Sequence, residues 1–238
     1  MQRRAWDEKP LLREIYSEWF EMIADRLSTI SGPTIELGSG IGGFKEFSPD
    51  TTVTDLEATP WTDEIANAER LGYADSSLAN LVMIDVLHHL PHPRQFFDEA
   101  ARVLQPGGRV VMVEPYCSPL SGLAYRYLHH EGASTRVDPL DGAALSSNRA
   151  LDANNAVPTL VFWRHLNRFR SLYPTLEVVE RRRFSFVLYP LSGGFTRGQL
   201  VPGIAARPLR SIEWLLRPLA PLAALRCLVV LERASDRR

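Results

Sequence analysis

Two groups of residues in this sequence are equipped for chemistry, and each lies where an apolar run ends. The first is Glu36-Leu37-Gly38-Ser39-Gly40-Ile41-Gly42-Gly43, directly after Thr34-Ile35. Glycines carry no Cβ, so the backbone there can approach a ligand closely, and Glu36 sets a carboxylate beside the turn. Asp55 closes the β-branched run Thr51–Thr54 and is followed by Leu56. A carboxylate in that place can accept hydrogen bonds from both hydroxyls of a ribose. The second group follows Leu81-Val82-Met83-Ile84 and comprises Asp85, Val86, His88 and His89, with His92 in a Pro-flanked turn. Glu114-Pro115-Tyr116 follows the run Arg109–Val113. Histidine exchanges a proton near neutral pH, so His88 or His89 is a candidate base for an acceptor hydroxyl. Glu114 is another. Packing beneath the loop is an equally open reading of His88 and His89, a hydrogen-bonding role behind another group is as open for Glu114, and packing is the better reading of His92. For Asp85 the plain alternative is helix capping. No H-E-x-x-H pattern occurs, so no metal is expected. His129-His130-Glu131 reads as a solvated helix end rather than a ligand cluster.

The elements that must hold these groups follow from periodicity. Leu11, Ile15, Trp19, Ile23 and Leu27 recur every fourth residue, which predicts an amphipathic helix with Pro10 near its start. Thr34–Leu37 and Thr51–Thr54 read as strands, Glu64-Ile65-Ala66 as a weak third, and Leu81–Ile84 as a central strand covered on both faces. A helix is expected after the glycine turn. Pro93–Leu104 reads as a helix, Pro106-Gly107-Gly108 as a tight turn, and Arg109–Val113 as the next strand. Strands alternating with helices imply βαβ units and a mostly parallel sheet. Farther on, Leu120–His130 and Thr159–Leu172 read as helices, and Leu176–Glu180 and Cys227–Leu231 as late strands. The small-residue stretch from Asp138 to Asn155 reads as a loop able to act as a lid.

The glycine turn is ambiguous alone. Gly38, Gly40 and Gly43 also satisfy the G-x-G-x-x-G dinucleotide pattern, and Asp55 suits either NAD or S-adenosylmethionine. Glu36 separates them. A dinucleotide brings its pyrophosphate to this turn, where an adjacent carboxylate repels it. S-adenosylmethionine has no phosphate, and its amino group and sulfonium are cationic.

In order and spacing, the sequence resembles the class I S-adenosylmethionine-dependent methyltransferases of the type 11 group. The likeness covers about residues 34–115. It rests on Glu36–Gly42, on Asp55, and on Asn67-Ala68 with Leu71-Gly72-Tyr73. Ser77–Val82, Asp85–Leu90 and Arg102–Arg109 complete the series. The resemblance implies a Rossmann-like α/β fold with a mostly parallel seven-stranded sheet flanked by helices. It implies that Glu36, Gly38, Ser39 and Gly40 hold the methionine end, Asp55 the ribose, Leu56 the adenine face and Asn67 the adenine amino group, beside Ala68. Asp85 and Val86 would border the methionine moiety. The expected activity is methyl transfer to a small-molecule or lipid-like acceptor. Asn67 and Ala79 stand where the family commonly has Asp, and Gly72 where it has Pro. Those departures keep a non-catalytic S-adenosylmethionine-binding protein in view, as the glycine pattern keeps an NAD-dependent oxidoreductase.

Composition bounds the rest. The chain has 238 residues, 45% of them apolar, and a formal net charge of −1. That length fits one methyltransferase domain, read as an N-terminal helix (1–33), a cofactor core (34–115), an acceptor cap with late strands (116–210) and a C-terminal helix and strand (211–238). Balanced charge argues against nucleic acid as partner. Two cysteines, Cys117 and Cys227, form no ligand pattern and favour a reducing, cytoplasmic setting. No apolar stretch is long enough to span a membrane. Tyr125, Tyr127, Phe162, Trp163, Phe169 and Tyr189 make the acceptor half aromatic, as a binding wall or as core. Arg181-Arg182-Arg183, with Arg207, Arg210 and Arg217 around Trp214-Leu215-Leu216, leaves a peripheral membrane contact open, although a solvated face explains such runs more often. The methyl acceptor and the oligomeric state are not legible.

Overall fold

The computed structural model describes residues 2–128, 132–143, 145 and 153–235. Two helices open it, α1 (Gln2–Glu8) and α2 (Pro10–Ala24). The strands are β1 (Thr34–Leu37), β2 (Thr51–Asp55), β3 (Glu64–Ile65), β4 (Leu78–Ile84), β5 (Leu104–Pro115), β6 (Leu176–Phe184) and β7 (Arg226–Arg233). Helix α3 (Pro93–Val103) joins β4 to β5, and α4 (Pro119–Leu128) follows β5. Helices α5 (Val157–Thr159) and α6 (Leu166–Leu172) precede β6, and α7 (Leu188–Ser192), α8 (Ala206–Leu216) and α9 (Ala220–Ala223) lie between β6 and β7.

The strands form one seven-stranded sheet in the order β3-β2-β1-β4-β5-β7-β6. From β3 to β5 all pairs are parallel, whereas β7 runs antiparallel to both β5 and β6. This is the α/β class and mostly parallel sheet expected from the alternating pattern. Strand β7 is buried along Arg226–Leu231, as an unbroken apolar run between two neighbours requires. Strand β6 lies at the edge with a bulge between Val178 and Glu180, and its charged residues Glu180 and Arg181 meet Arg26 and Trp163.

Each face of the sheet has its own core. On one, α2 lays Leu12, Trp19, Phe20 and Ile23 over Val82, Val111, Leu228 and Val230. On the other, Phe96 and Phe97 of α3 meet Phe162, Phe169 and Tyr173 over Leu81, Met112 and Val229. Phe97 stands 5.0 Å from Phe169 and 5.9 Å from Phe162, ring centre to ring centre, near perpendicular to both. The edge-to-face arrangement adds to simple burial. Phe162 and Phe169 are therefore core residues rather than a ligand wall.

Several elements depart from expectation for physical reasons. Helix α1 forms in a polar segment because Ala5 and Trp6 are buried, with Trp6 packed 6.1 Å from Phe20. The helix expected after the glycine turn is only a single 3-10 turn at Gly43–Glu46, since β2 already begins at Thr51. Phe20 of α2 packs there instead, where a Cβ on Gly43 would lie 3.0 Å from its ring. The Pro106-Gly107-Gly108 turn falls within β5, with Gly107 at φ +81° and the β4–β5 register shifted between Leu78 and Asn80. The expected 159–172 helix is broken into α5, a π-turn at Leu160–Arg164 and α6. The expected helix end at His129 and His130, with Glu131, lies outside the described residues, as do 144 and 146–152 of the expected lid loop. Its described ends are tied down by Leu145 N–H to the Pro91 carbonyl (2.8 Å) and Asn154 N–H to the His88 carbonyl (2.9 Å).

Replacing Phe97 by Ala should cost about 3–5 kcal/mol in urea unfolding. Val179→Ala, at the exposed bulge of β6, should stay within about 0.5 kcal/mol.

Candidate active site

The parallel strands deliver their carboxyl ends to one edge, and the two sequence groups meet there. In the glycine turn, Gly38, Gly40 and Gly42 take φ of +63°, +55° and +68°. These values are unstrained only without a side chain. Ser39 N–H bonds the Thr54 carbonyl (3.0 Å), which pins the turn to β2. Asp55 Oδ2 accepts from Gly40 N–H (3.2 Å) and Oδ1 from Leu56 N–H (2.7 Å). Trp61, from the loop after β2, donates its indole N–H to the Gly40 carbonyl. Leu56 is largely exposed beside Asp55. The site-bearing ends of β1 and β4 touch, because a Cβ on Gly38 would lie 2.6 Å from Val86 Cγ2.

Glu36 is the anomaly of this half. Its side chain is 2% exposed, and Oε2 has no hydrogen-bond partner. Burial, and then the nearby Asp55 carboxylate, raise its pKa from the usual 4.5 to about 8. A buried carboxyl without a donor is costly, and a cationic group brought to the turn would remove the cost. Ser39 Oγ is likewise buried without a partner. Asn67 is exposed, and its Oδ1 accepts from Glu69 N–H (2.8 Å), so one of the two lone pairs of the oxygen expected to meet an adenine amino group is engaged. Ala68 beside it is buried.

At the tip of β4, Asp85 takes φ +57°. It caps no helix. Tyr16 of α2 donates its hydroxyl to Asp85 Oδ2 (3.1 Å), and Arg226 of β7 forms an ion pair with Oδ1. Burial, with Tyr189 and Asp85 close by, holds the Tyr16 phenol well above its ordinary pKa, so it remains a donor. Arg226 is itself buried, its guanidinium 4.3 Å from the ring centre of Tyr189 and 5.1 Å from that of Trp19, with Nε unpartnered. Neither Tyr16 nor Arg226 was flagged by the sequence. A lone arginine opening an apolar strand was the available signal.

Glu114 lies on the opposite face of the sheet. It is fully buried, with Oε1 accepting from Val86 N–H (2.8 Å) and Leu87 N–H (2.7 Å), and with Oε2 2.7 Å from His88 Nδ1. The His88 and His89 rings stack with centres 4.2 Å apart. His92 turns away to Glu69, whose carboxylate accepts its backbone N–H. Asp85, His88 and Glu114 present ligand atoms within 4.8 Å of one another, but both carboxylates are already engaged, and Arg226 supplies the cation. Burial pushes the Cys117 thiol to about 12 and raises that of Cys227 too, so neither is a nucleophile.

Other expected contacts resolve into packing. Arg181 and Arg183 lie over Trp163 at 5.5 and 5.2 Å, and Arg183 over Tyr116 at 5.1 Å. Tyr125 donates to the Leu225 carbonyl (2.9 Å), and the Tyr127 side chain lies outside the described residues.

Two measurements check these assignments. Between pH 4.5 and about 8 only the folded chain keeps the Glu36 proton, so this residue's contribution to stability declines as pH rises through that window. Glu36→Gln cannot ionise, and its stability relative to the parent should rise from about pH 5 to about pH 8.5 in urea titrations. Arg226→Met should cost about 3 kcal/mol by stranding Asp85. Adding Asp85→Asn should recover at least about 1 kcal/mol of that.

Comparison with known proteins bears on the fold that carries these residues. Residues 47–112 match the family described as a methyltransferase domain. An uncharacterized 37.1 kDa protein in transposon TN4556 of Streptomyces fradiae is 36% identical over 104 residues, 41% of this chain and 30% of that protein. The match thus spans under a third of that relative. Among solved structures, geranyl diphosphate C-methyltransferase from Streptomyces coelicolor A3(2), in complex with Mg2+, geranyl diphosphate and S-adenosyl-L-homocysteine, superposes with TM-score 0.55 at 13% identity, over 93% of this chain and 82% of that one. A putative sarcosine dimethylglycine methyltransferase from Galdieria sulphuraria gives 0.53 at 16% identity, over 93% and 88%. The [4+2]-cyclase SpnF gives 0.53 at 13%, over 92% and 82%. Residues 47–112 thus match a methyltransferase domain, and the chain as a whole shares the fold of class I methyltransferases.

Proposed function

We propose that this chain transfers the methyl group of S-adenosylmethionine to a small-molecule or lipid-like acceptor. The carrying observation is Glu36, a buried carboxylate oxygen without a donor, set beside a glycine turn with Asp55 at the next strand end. That site suits a cationic nucleoside. It suits a dinucleotide poorly, because the carboxylate repels a pyrophosphate and the single turn at Gly43–Glu46 offers no helix terminus to receive one. Glu36, Ser39 and the Gly38–Gly40 backbone would hold the methionine end, Asp55 the ribose, and Leu56 and Asn67 the adenine. When bound, S-adenosylmethionine supplies a methyl group on a positively charged sulfur, open to attack in line with the C–S bond.

The residues of this chain do the positioning. In this reading residues 34–115 form the cofactor half, and 116–210 with α2 form the acceptor side. Glu114 Oε2 accepts a hydrogen bond from His88 Nδ1–H, and with the proton held at Nδ1 it is Nε2 that would accept a proton from an acceptor hydroxyl. Glu114 is a positioning residue, since its own oxygens are occupied by Val86, Leu87 and His88. His89 stacks on His88 and limits its rotation. Aligning the two reactants can supply much of the acceleration.

The superposition with a cyclase keeps a second reading in view, a fold of this kind used for other chemistry. Calorimetric titration tests the cofactor, and label transfer separates the two readings. S-adenosylmethionine should bind in the micromolar range, and Glu36→Gln should weaken it about tenfold or more by removing a charge-assisted contact. NADH binding that improves in the same variant would sink the proposal. With methyl-labelled cofactor and cell extract as acceptor source, label should pass into an extractable product. His88→Asn should slow that transfer about 100-fold or more while leaving cofactor affinity unchanged.

A further inference from the structure

Between β6 and β7 the chain presents an apolar face that nothing among the described residues covers. Ile204 is 86% exposed, Trp214 62%, Leu215 65% and Leu222 53%. With Leu219 they recur at helical spacing along one side of the 203–223 segment, while Ala206, Leu209, Leu216 and Ala220 face inward. The face continues onto α4, which packs against α9 and exposes Leu120 and Leu123. Exposed apolar patches of this kind mark interaction sites.

Charge says what kind of occupant fits. The exposed charged residues of α8 and the turn after it are Arg207 and Arg217, with Arg182 near enough to Arg217 for each to feel the other's charge. Residues 198–225 contain one carboxylate, Glu213, and it turns inward to accept the N–H groups of Phe186, Val187 and Leu188 (2.7–3.0 Å). Turning the single acid inward leaves the segment's own outer surface cationic and apolar, with a tryptophan at its middle; the α2 acids that reach α8, Glu14 and Glu18, are both paired with Arg210. No helix among the described residues is long and apolar enough to cross a membrane. A short amphipathic helix with arginines and exposed Trp and Leu has instead the composition of one lying in the plane of a bilayer interface.

The location adds to this. Helix α4 begins just beyond the carboxyl end of β5, and α9 ends just before Arg226, which pairs with Pro115 at that end. The apolar face therefore borders the edge of the sheet that carries Asp85, His88 and Glu114.

We propose that residues 203–223 form a docking surface for an anionic lipid bilayer, with Trp214, Leu215 and Leu222 entering the interface and Arg207 and Arg217 meeting lipid phosphates. This surface does not depend on methyl transfer. If the acceptor is lipid-like, it sets the site at the membrane from which that acceptor would come.

The test uses the full chain and vesicles of phosphatidylcholine, with and without about a third of phosphatidylglycerol, read by co-sedimentation and tryptophan emission. The chain should bind the anionic vesicles with a blue shift and bind neutral ones at least tenfold more weakly. The pair Trp214→Glu and Leu215→Glu should abolish binding. Arg207→Glu with Arg217→Glu should weaken it at least tenfold, as about fivefold per charge lost implies. Circular dichroism should confirm that both variants stay folded, as substitutions on an exposed face allow. Arg207→Gln with Arg217→Gln, which only removes charge, serves in their place if they do not. Equal binding to neutral vesicles, no binding to either kind, or binding kept by the Trp214 and Leu215 variant overturns the proposal. So does a chain that is dimeric in sedimentation equilibrium and made monomeric by Trp214→Glu, which would give the face to a second copy. Loss of S-adenosylmethionine binding, measured separately, bears on the function of the site and leaves this surface untouched.

Discussion

Asp85 needs a buried cation, and the candidate site is built around supplying one. Arg226 comes from the last strand, Tyr16 from the second helix, and Asp85 from the tip of the central strand. The contact joins segments far apart in sequence at the edge where parallel strands end. An ion pair of this kind need not add net stability, because desolvating both charges offsets their attraction. What it supplies is position. The pair secures the β4 tip, whose Asp85 sits at φ +57°, and the loop just beyond it carries Val86 and His88. Because β7 is antiparallel, its first residue arrives at the carboxyl end of β5, so sheet topology itself brings the arginine there.

Two buried glutamates at this edge show how environment assigns roles. Glu114 has both oxygens occupied, by two backbone N–H groups and a histidine, and so acts as scaffold. Glu36 has an empty oxygen and a pKa raised toward neutrality by burial. The first is finished within the protein. The second is left unpaired by the described residues, and a cationic ligand, if one is held there as proposed, would recover the cost of that bare oxygen.

Much of this was legible in the sequence where residue type alone decides the outcome. The glycine turn, the strands that end in Glu36-Leu37 and Asp55, and α3 followed from periodicity and from glycine's lack of a Cβ, and each lies within a residue or two of expectation. Misses occurred where distant contacts decide. Helix α1 exists because Trp6 is buried against Phe20, a partner no local pattern names. A full helix after the glycine turn had no room before Thr51, and Phe20 packed in its place. Tyr16 carries no spacing signal and Arg226 only that of a lone arginine at the head of an apolar strand, and only the β5–β7 register and the course of α2 bring them to Asp85. The same limit applied to Phe162 and Phe169, aromatic by type but core by position.

Strand β7 follows every other strand in sequence, yet it occupies an interior place between β5 and β6. Until it inserts, β6 has no neighbour among the strands and the outer side of β5 is open. The parallel half, β3 to β5, can assemble from contacts within residues 34–115, while the remainder awaits long-range pairings that form slowly. Maturation of this protein should therefore be ordered. The glycine turn and its neighbouring strand ends take shape first, and the open side of β5 is sealed last, when a single late strand slides in and brings its arginine to the tip of β4.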